Sequence, residues 1–183
     1  MSHITLVRHG QANTQARDEL SYDRLSDLGR QQSAWLGDYL RTTATHHTRL
    51  YCGTLKRHFQ TAEAMEMGIE VVRDPRLNEL EYFNLARLLE EQHGVAIPEG
   101  REAFVDHMPQ VLTAWENNRL ANPPESFATF HNRVTEALAE IAQGDGPALV
   151  VTSGGLIAMA MRQVLGLDTP AMARVALAIM NTS

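Results

Sequence analysis

The chain has 183 residues, of which 44% are hydrophobic and 21% are charged, and these proportions are ordinary for a globular protein of one domain. Its formal net charge of -6 argues against general binding to nucleic acid, because such binding depends on many Lys and Arg contacts to phosphate. No apolar run approaches the roughly 20 residues that span a bilayer, so we expect no membrane association either.

The first residues and the cysteine content bear on location. The chain runs almost directly into apolar residues 4–7, without the basic start and long apolar region of a signal peptide. The only cysteine, Cys52, has no partner for an internal disulfide, which fits a reducing compartment. We therefore expect a cytoplasmic protein that folds as one domain over residues 1–183.

The first predicted elements are a strand and a helix. Residues 4–8 are apolar and β-branched and are soon followed by Gly10, which is typical of a short buried strand that ends in a tight loop. His9 then lies at the carboxyl end of this strand. Ser26 can cap a helix over residues 27–42. We assign the apolar face of that helix to Leu28, Trp35, Leu36, Tyr39 and Leu40.

The next stretch repeats the order of strand, turn and helix. A strand candidate within residues 49–53 precedes a predicted helix over residues 55–67, for which Gly68 is a suitable stop. Residues 70–73 are a third strand candidate. Cys52, inside the second strand, is interpreted as a small buried residue rather than a nucleophile.

From residue 74 onwards the pattern is mainly helical, with one continuous apolar run near the end. The elements predicted there are helices around residues 85–92, 104–115 and 127–141, a buried strand at 148–152, and a helix at 154–165. Strands that alternate with helices predict an α/β protein, a three-layer α/β/α sandwich with a mostly parallel central sheet.

In such sheets the ligand crevice lies beyond the carboxyl ends of the strands. We therefore expect Arg8-His9, the loop before Arg57, and Ser153-Gly154 to converge on one pocket. A neutral imidazole can attack phosphorus, while arginine forks neutralise phosphate oxygens and the start of a helix favours anions. Taken alone, however, the Arg8-His9-Gly10 triplet is more simply explained as a solvent-facing turn.

Further segments change that interpretation. Residues 6–11, 25–32, 55–62, 77–79 and 125–134 occur in the order of five motifs of the histidine phosphatase superfamily, the phosphoglycerate mutase-like proteins. The resemblance covers nearly the whole chain. It implies a phosphoglycerate mutase-like fold, in which residues 74–120 form a helical insertion covering the site.

The resemblance also implies roles for particular residues. His9 would take the phosphoryl group from a phosphomonoester, and Arg8 and Arg57 would clamp the phosphate together with Ser153 and Gly154. Glu79 would protonate the leaving oxygen. The usual continuation after that acid is absent, so Glu81 is an alternative for the role.

The largest departure from the family pattern is Ser153, which stands where a second histidine is usual. Serine can donate one hydrogen bond to phosphate but cannot become cationic. His58 stands where alanine is usual and would be a substitute, but we expect it to be an exposed helix residue, since neighbouring helix positions point about 100° apart. His107 and His131 are likewise expected at the surface or at an interface.

The sequence predicts a phosphomonoester hydrolase that works through phosphohistidine on a small phosphorylated metabolite, without cofactor or catalytic metal. His46-His47 lacks the spaced partners of a metal site. One alternative is phosphoryl transfer of the phosphoglycerate mutase type. The other, prompted by Ser153, is a weakly active or inactive module that binds phosphate or phosphoprotein.

Overall fold

The computed structural model describes residues 3–43 and 46–183. Within these ranges the strands are β1 (Ile4–Arg8), β2 (Arg49–Cys52), β3 (Val71–Arg73) and β4 (Ala148–Thr152). The helices are α1 (Glu19–Tyr22), α2 (Asp27–Thr42), α3 (Lys56–Ala64), α4 (Tyr82–His93), α5 (Arg101–Glu116), α6 (Phe127–Gln143), α7 (Gly154–Leu165) and α8 (Thr169–Ala178), with a 3₁₀ turn at Pro75–Leu77.

The four strands form one sheet in the order β1-β4-β2-β3, and every pair is parallel. All five residues of β4 are buried, as expected for the centre of a sheet covered on both faces. Because side chains alternate along a strand, Ala148 and Val150 join a core with α4–α8, while Leu149 and Val151 join a second core with α2 and α3. The predicted three-layer α/β/α fold is thus confirmed.

Helix α2 has the predicted bounds and cap, since the Ser26 hydroxyl accepts from the backbone N–H of Gly29. Its assigned apolar face was wrong in part: Leu28, Trp35 and Tyr39 are exposed, whereas Leu40 is buried and Leu36 packs against the second core. The buried residues are instead mostly small, Gly29, Ser33, Gly37 and Leu40. A Cβ atom at Gly37 would lie only 2.0 Å from the carbonyl oxygen of Met65, so close backbone packing, not large apolar area, sets this face.

Two helices, α1 and α8, were not predicted, and α3 ends at Ala64 rather than near residue 67. No helix in the described ranges is long and apolar enough to cross a membrane. The three residues that follow Met180 run beside β1, where Thr182 N donates to the Arg8 carbonyl and Arg8 N donates to that of Ser183.

Candidate active site

Three strand ends meet around His9. The residue follows β1, and its backbone N–H donates to the Thr152 carbonyl at the end of β4 over 2.8 Å. His58, on the helix that follows β2, has its ring centroid 5.6 Å from that of His9. Its Nε2 lies 2.6 Å from the hydroxyl of Ser153, just beyond β4. The structure therefore brings together the segments that were expected to converge.

The His9 ring is oriented by its neighbour. Nδ1 lies 2.7 Å from the Gly10 carbonyl oxygen, which can only accept, so Nδ1 carries the proton and Nε2 keeps its lone pair. Burial, followed by the cations of Arg57 and Arg8, lowers the pKa of His9 to about 3, although the bond to Gly10 acts in the opposite direction. At neutral pH the imidazole is uncharged, as a nucleophile must be.

The turn after His9 has room only for glycine. Gly10 N donates to the hydroxyl of Thr61 over 3.0 Å, which ties the turn to α3. A Cβ atom on Gly10 would lie 2.3 Å from the carbonyl oxygen of Gly29 on α2. The two helices therefore fix the position of the loop that carries His9.

Arg57 is buried and held from one side. Its Nη1 donates to Asp23 over 3.1 Å, and the same carboxylate accepts from the backbone N–H groups of Lys56 and Arg57 at the start of α3. The guanidinium carbon lies 4.9 Å from the ring centroid of Tyr22. Nε has no acceptor among the described residues, so a donor is left over. Sequence analysis missed Asp23 and Tyr22, which lie in a polar stretch with no periodicity.

Arg8 is held by the last part of the chain. It donates through Nη1 to the carbonyl of Ile179, and its buried Nε also lacks an acceptor within the described ranges. A Cβ atom at Gly154 would lie 3.7 Å from this Nε, which places Arg8 beside the start of α7. Asn181 donates to the backbone carbonyl of His9 over 3.0 Å, a second contact that sequence analysis missed.

Glu79 reaches the start of α7. Its carboxylate accepts from the backbone N–H of Gly155 over 2.9 Å and from that of Leu80 over 3.0 Å. A Cβ atom at Gly155 would lie 2.3 Å from Oε1 of Glu79, so the carboxylate fills the space above this glycine. Glu81 is exposed and accepts instead from Asn84 on α4. Of the two candidate acids, only Glu79 contacts the residues that follow Ser153.

The segment that carries Glu79 is anchored to α6. Arg133 donates to the carbonyls of Arg76 and Asn78 over 2.8 and 2.7 Å. Its other nitrogens bind Glu125, and the closest contact of that ion pair is 2.6 Å. This pair gives residues 125–134 a structural role, because it holds the backbone that leads to Glu79.

Helices α1 and α4 contribute residues that lie near His9. The backbone N–H of Phe83 donates to Glu19 over 2.8 Å, and the ring of Tyr22 lies 6.2 Å from that of His9 and 5.9 Å from that of Phe83. Burial raises the pKa of Glu19 to about 7, with Glu81 and Glu79 adding to the rise and the Phe83 N–H and Arg57 opposing it. No periodicity marks the four-residue α1, so no pattern could have revealed Glu19.

Three other predictions concern single side chains. His58 was expected to be exposed, which is wrong: its exposed fraction is 0%, because α3 packs that face against the strand ends. His107 is also buried, with Nδ1 2.8 Å from the Tyr82 hydroxyl. Cys52 is buried as predicted, and burial raises the pKa of its thiol to about 11. Residues 3–43 and 46–183 contain no cluster of His, Cys, Asp and Glu suited to a metal ion.

Comparison with known families gives a match along almost the whole chain. The model of the histidine phosphatase superfamily (branch 1) matches residues 4–183. Among curated proteins, the glucosyl-3-phosphoglycerate phosphatase of Mycolicibacterium vanbaalenii is 29% identical over 171 residues. That alignment covers 90% of this chain and 74% of the relative.

Solved structures share the fold. Phosphoglycerate mutase from Bacillus anthracis superposes with a TM-score of 0.67 at 20% identity, covering 98% of this chain and 84% of that one. A mycobacterial glucosyl-3-phosphoglycerate phosphatase in complex with VO3 gives a TM-score of 0.63 at 24% identity, with 92% and 84% covered.

Proposed function

The chain belongs to the histidine phosphatase superfamily, and from this premise we propose that it hydrolyses phosphomonoesters through a phosphohistidine formed on His9. The observation that carries the proposal is the state of that side chain. It is buried and neutral, its Nδ1 proton is held by Gly10, its Nε2 lone pair is left over, and two nearby arginines, Arg57 and Arg8, add to the effect of burial in lowering its pKa.

The phosphate clamp of the proposal is formed by Arg8 and Arg57. Each side chain makes one hydrogen-bonded contact, Arg8 to Ile179 and Arg57 to Asp23, and each retains a buried Nε donor without an acceptor in the described part of the chain. In the proposal, these two donors bind the oxygens of the phosphate dianion. Such fixed donors stabilise the charge that develops on the nonbridging oxygens during transfer.

The chemistry runs in two steps. His9 Nε2 attacks phosphorus, the bond to the ester oxygen breaks, and Glu79 gives its proton to that leaving oxygen. Glu79, now ionised, then takes a proton from water as the water oxygen attacks phosphorus. The bond between phosphorus and Nε2 breaks, inorganic phosphate leaves, and His9 and Glu79 return to their starting states.

The proposed substrate is a small phosphorylated metabolite rather than a phosphoprotein. His9, Arg57 and Ser153 are almost fully buried, which favours a phosphate group that enters as part of a small molecule. The relative named glucosyl-3-phosphoglycerate phosphatase makes glucosyl-3-phosphoglycerate the first compound to assay.

The experiment is to trap the phosphoenzyme. Wild-type protein and His9→Ala are mixed with a ³²P-labelled phosphomonoester and quenched in alkaline denaturant, because phosphohistidine is labile in acid. Label should be found on the wild type and be absent from His9→Ala. Label of equal intensity on His9→Ala would overturn the assignment of the nucleophile.

The same preparation separates the alternatives. Release of inorganic phosphate without transfer to a second metabolite supports the phosphatase, whereas transfer to an acceptor such as a phosphoglycerate indicates a mutase. Phosphate binding by titration calorimetry, with neither label nor turnover, would mean that the chain is a binding module.

A further inference from the structure

We propose that His58 is a positioning residue for the phosphoryl transfer: it donates from Nε2 to Ser153 and so directs the Ser153 hydroxyl proton at a nonbridging phosphate oxygen. The inference rests on the proposed function and adds a residue to it. Its basis is the buried contact of 2.6 Å between His58 Nε2 and Ser153 Oγ.

The direction of this hydrogen bond depends on which ring nitrogen of His58 carries the proton. His58 Nδ1 is buried and has no partner among the described residues. Either tautomer leaves one buried donor without an acceptor, His58 Nδ1–H or the Ser153 O–H. We assign the proton to Nε2, because the donor that is then left over belongs to the residue just beyond β4, where a phosphate oxygen would accept it. Nε2–H then donates to Ser153 Oγ, and the serine proton cannot point back at the imidazole.

The Ser153 hydroxyl also does not cap the helix that it precedes. Ser153 is the N-cap residue of α7, a position where serine ordinarily accepts from the first turn of the helix, yet it makes no such bond. Its side chain is buried, and His58 is its only hydrogen-bond partner in residues 3–43 and 46–183. With the proton on His58 Nε2, the serine proton has no acceptor among the described residues, as is also true of the Nε donors of Arg8 and Arg57.

The pair also accounts for two departures from the family pattern at once. The family usually has alanine at the position of His58 and histidine at that of Ser153, and here the imidazole comes from the opposite wall of the site. His58 and Ser153 are 0% and 1% exposed, so a histidine in place of Ser153 would have to fit into a closed space beside the His58 ring. Compared with the usual family arrangement, the imidazole is carried by α3 rather than by the residue after β4. The residue after β4 then has a hydroxyl, which in the proposal contacts the phosphate.

His58 supplies direction rather than charge. Burial, with His9 and Arg57 nearby, holds its pKa well below the usual value, so the free enzyme carries it neutral. A neutral imidazole that holds a hydroxyl in place acts through that hydroxyl. Removal of either group should therefore remove the same contribution to turnover.

The test compares two side chains of similar size at this position. In His58→Gln the amide N–H can still donate to Ser153, whereas in His58→Met nothing can. With p-nitrophenyl phosphate as substrate, kcat of His58→Met should fall about 10- to 100-fold with KM changed less than threefold, and His58→Gln should retain kcat within about fivefold of the wild type.

Two double variants measure the coupling between His58 and Ser153. Ser153→Ala should lower kcat about 10²-fold, and addition of His58→Met should lower it no further, because the two residues act as one unit. His58→Ala combined with Ser153→His restores the usual family arrangement and should exceed kcat of Ser153→His alone, in which two imidazoles are crowded. Independent, multiplicative effects of His58→Met and Ser153→Ala would contradict the proposal.

The matched control is His47→Met, which removes a buried imidazole that bonds the hydroxyl of Thr5 near the other end of the sheet. Its kcat should equal that of the wild type. Equal kcat in His58→Met and the wild type, or an equal fall in His47→Met, would overturn the role of His58.

A binding measurement keeps this inference separate from the proposed function. Vanadate resembles the transferring phosphoryl group, so His58→Met should weaken vanadate binding by about the same factor as kcat and weaken phosphate binding less. A wild type that neither turns over nor takes up label contradicts the proposed function. An active wild type whose vanadate affinity is unchanged by His58→Met contradicts only the role of His58.

Discussion

The sheet has a buried histidine bonded to a hydroxyl at each of its two ends. His58 lies 2.6 Å from Ser153 beyond the carboxyl ends of the strands, and His47 lies 3.1 Å from Thr5 near their amino ends. In both, Nδ1 has no partner among the described residues. The two pairs are nearly the same in chemistry and differ in what surrounds them.

The surroundings decide which pair is suited to transfer chemistry. Beyond the carboxyl ends lie His9 and Arg57, both of which add to the effect of burial in lowering the pKa of His58, whereas burial and His3 lower that of His47. Parallel strands bring all their carboxyl ends, and the loops that follow them, to one edge. A buried histidine is therefore informative only together with the charges that the topology brings to it.

The largest expected difference in kcat between the two ends of the sheet comes from replacing one arginine at each end. Arg57→Met should lower kcat about 10³-fold, because it removes a fixed donor to the transferring group. Arg49, at the start of β2, donates to the carbonyls of Ile141, Gly144 and Gly146. Arg49→Met should leave kcat unchanged and lower the free energy of unfolding by about 2 kcal/mol. Steady-state kinetics and urea unfolding check both, and a large loss of kcat in Arg49→Met would contradict the contrast.

A methyl group added at each end should give a smaller difference. In Gly155→Ala the new Cβ meets the Glu79 carboxylate at 2.3 Å, and displacement of that group should lower kcat about 10- to 100-fold. Gly146→Ala places a Cβ 2.4 Å from the Thr48 hydroxyl, at a backbone φ of +79° that favours glycine. Gly146→Ala should lower the melting temperature and leave kcat unchanged. Unchanged kcat in Gly155→Ala would show that Glu79 tolerates displacement.

The two histidines should also differ in their effect on stability in acid. A folded-state pKa below the unfolded value of 6.5 means that the unfolded chain binds more protons, so stability is present above pH 6.5 and is lost as pH falls. Each such histidine contributes at most about 1.4 kcal/mol per pH unit. Urea unfolding between pH 7 and 5 should show a flatter loss in His58→Gln than in His47→Gln. Equal slopes would contradict the difference in surroundings.

Glu19 should have the smallest effect on stability. Its pH dependence should have the opposite sign to that of the two histidines. Its pKa, raised from 4.5 to about 7, means that the folded state keeps a proton that the unfolded chain releases, so stability falls as pH rises from 4.5 to 7. Glu19→Gln should therefore be more stable than the wild type at pH 8 and similar at pH 4.5. We expect the two free energies of unfolding at pH 8 to differ by less than about 1 kcal/mol, because the side chain is partly open to solvent. Melting curves at the two pH values measure it, and a wild type as stable as the variant at pH 8 would contradict the raised pKa.

The fold was largely predictable from the sequence because the strands and most helices carry clear periodicity. The bounds of β4, α2 and α7 agree with the prediction. The face of α2 was not predictable from hydrophobicity, because its packing depends on the absence of side chains at Gly29 and Gly37. Helix α1 is too short for any period to show.

The location of the candidate site was predicted through topology, and its internal contacts were not. His9 and Ser153 follow strands directly, so the rule for parallel sheets places them together. His58 lies on a helix, where its direction depends on how α3 packs, and sequence spacing cannot give that angle. Asp23 and Asn181 reach the site from segments without periodicity, so only the three-dimensional structure reveals them.

The bond between His9 Nδ1 and the Gly10 carbonyl has a further consequence, which concerns regiochemistry. Phosphohistidine exists as two isomers, one for each ring nitrogen. Here one nitrogen is occupied by a fixed backbone contact, so a phosphoryl group can be accepted only at Nε2. The phosphoenzyme of this protein would be a single regioisomer, chosen by a peptide carbonyl that takes no part in the reaction.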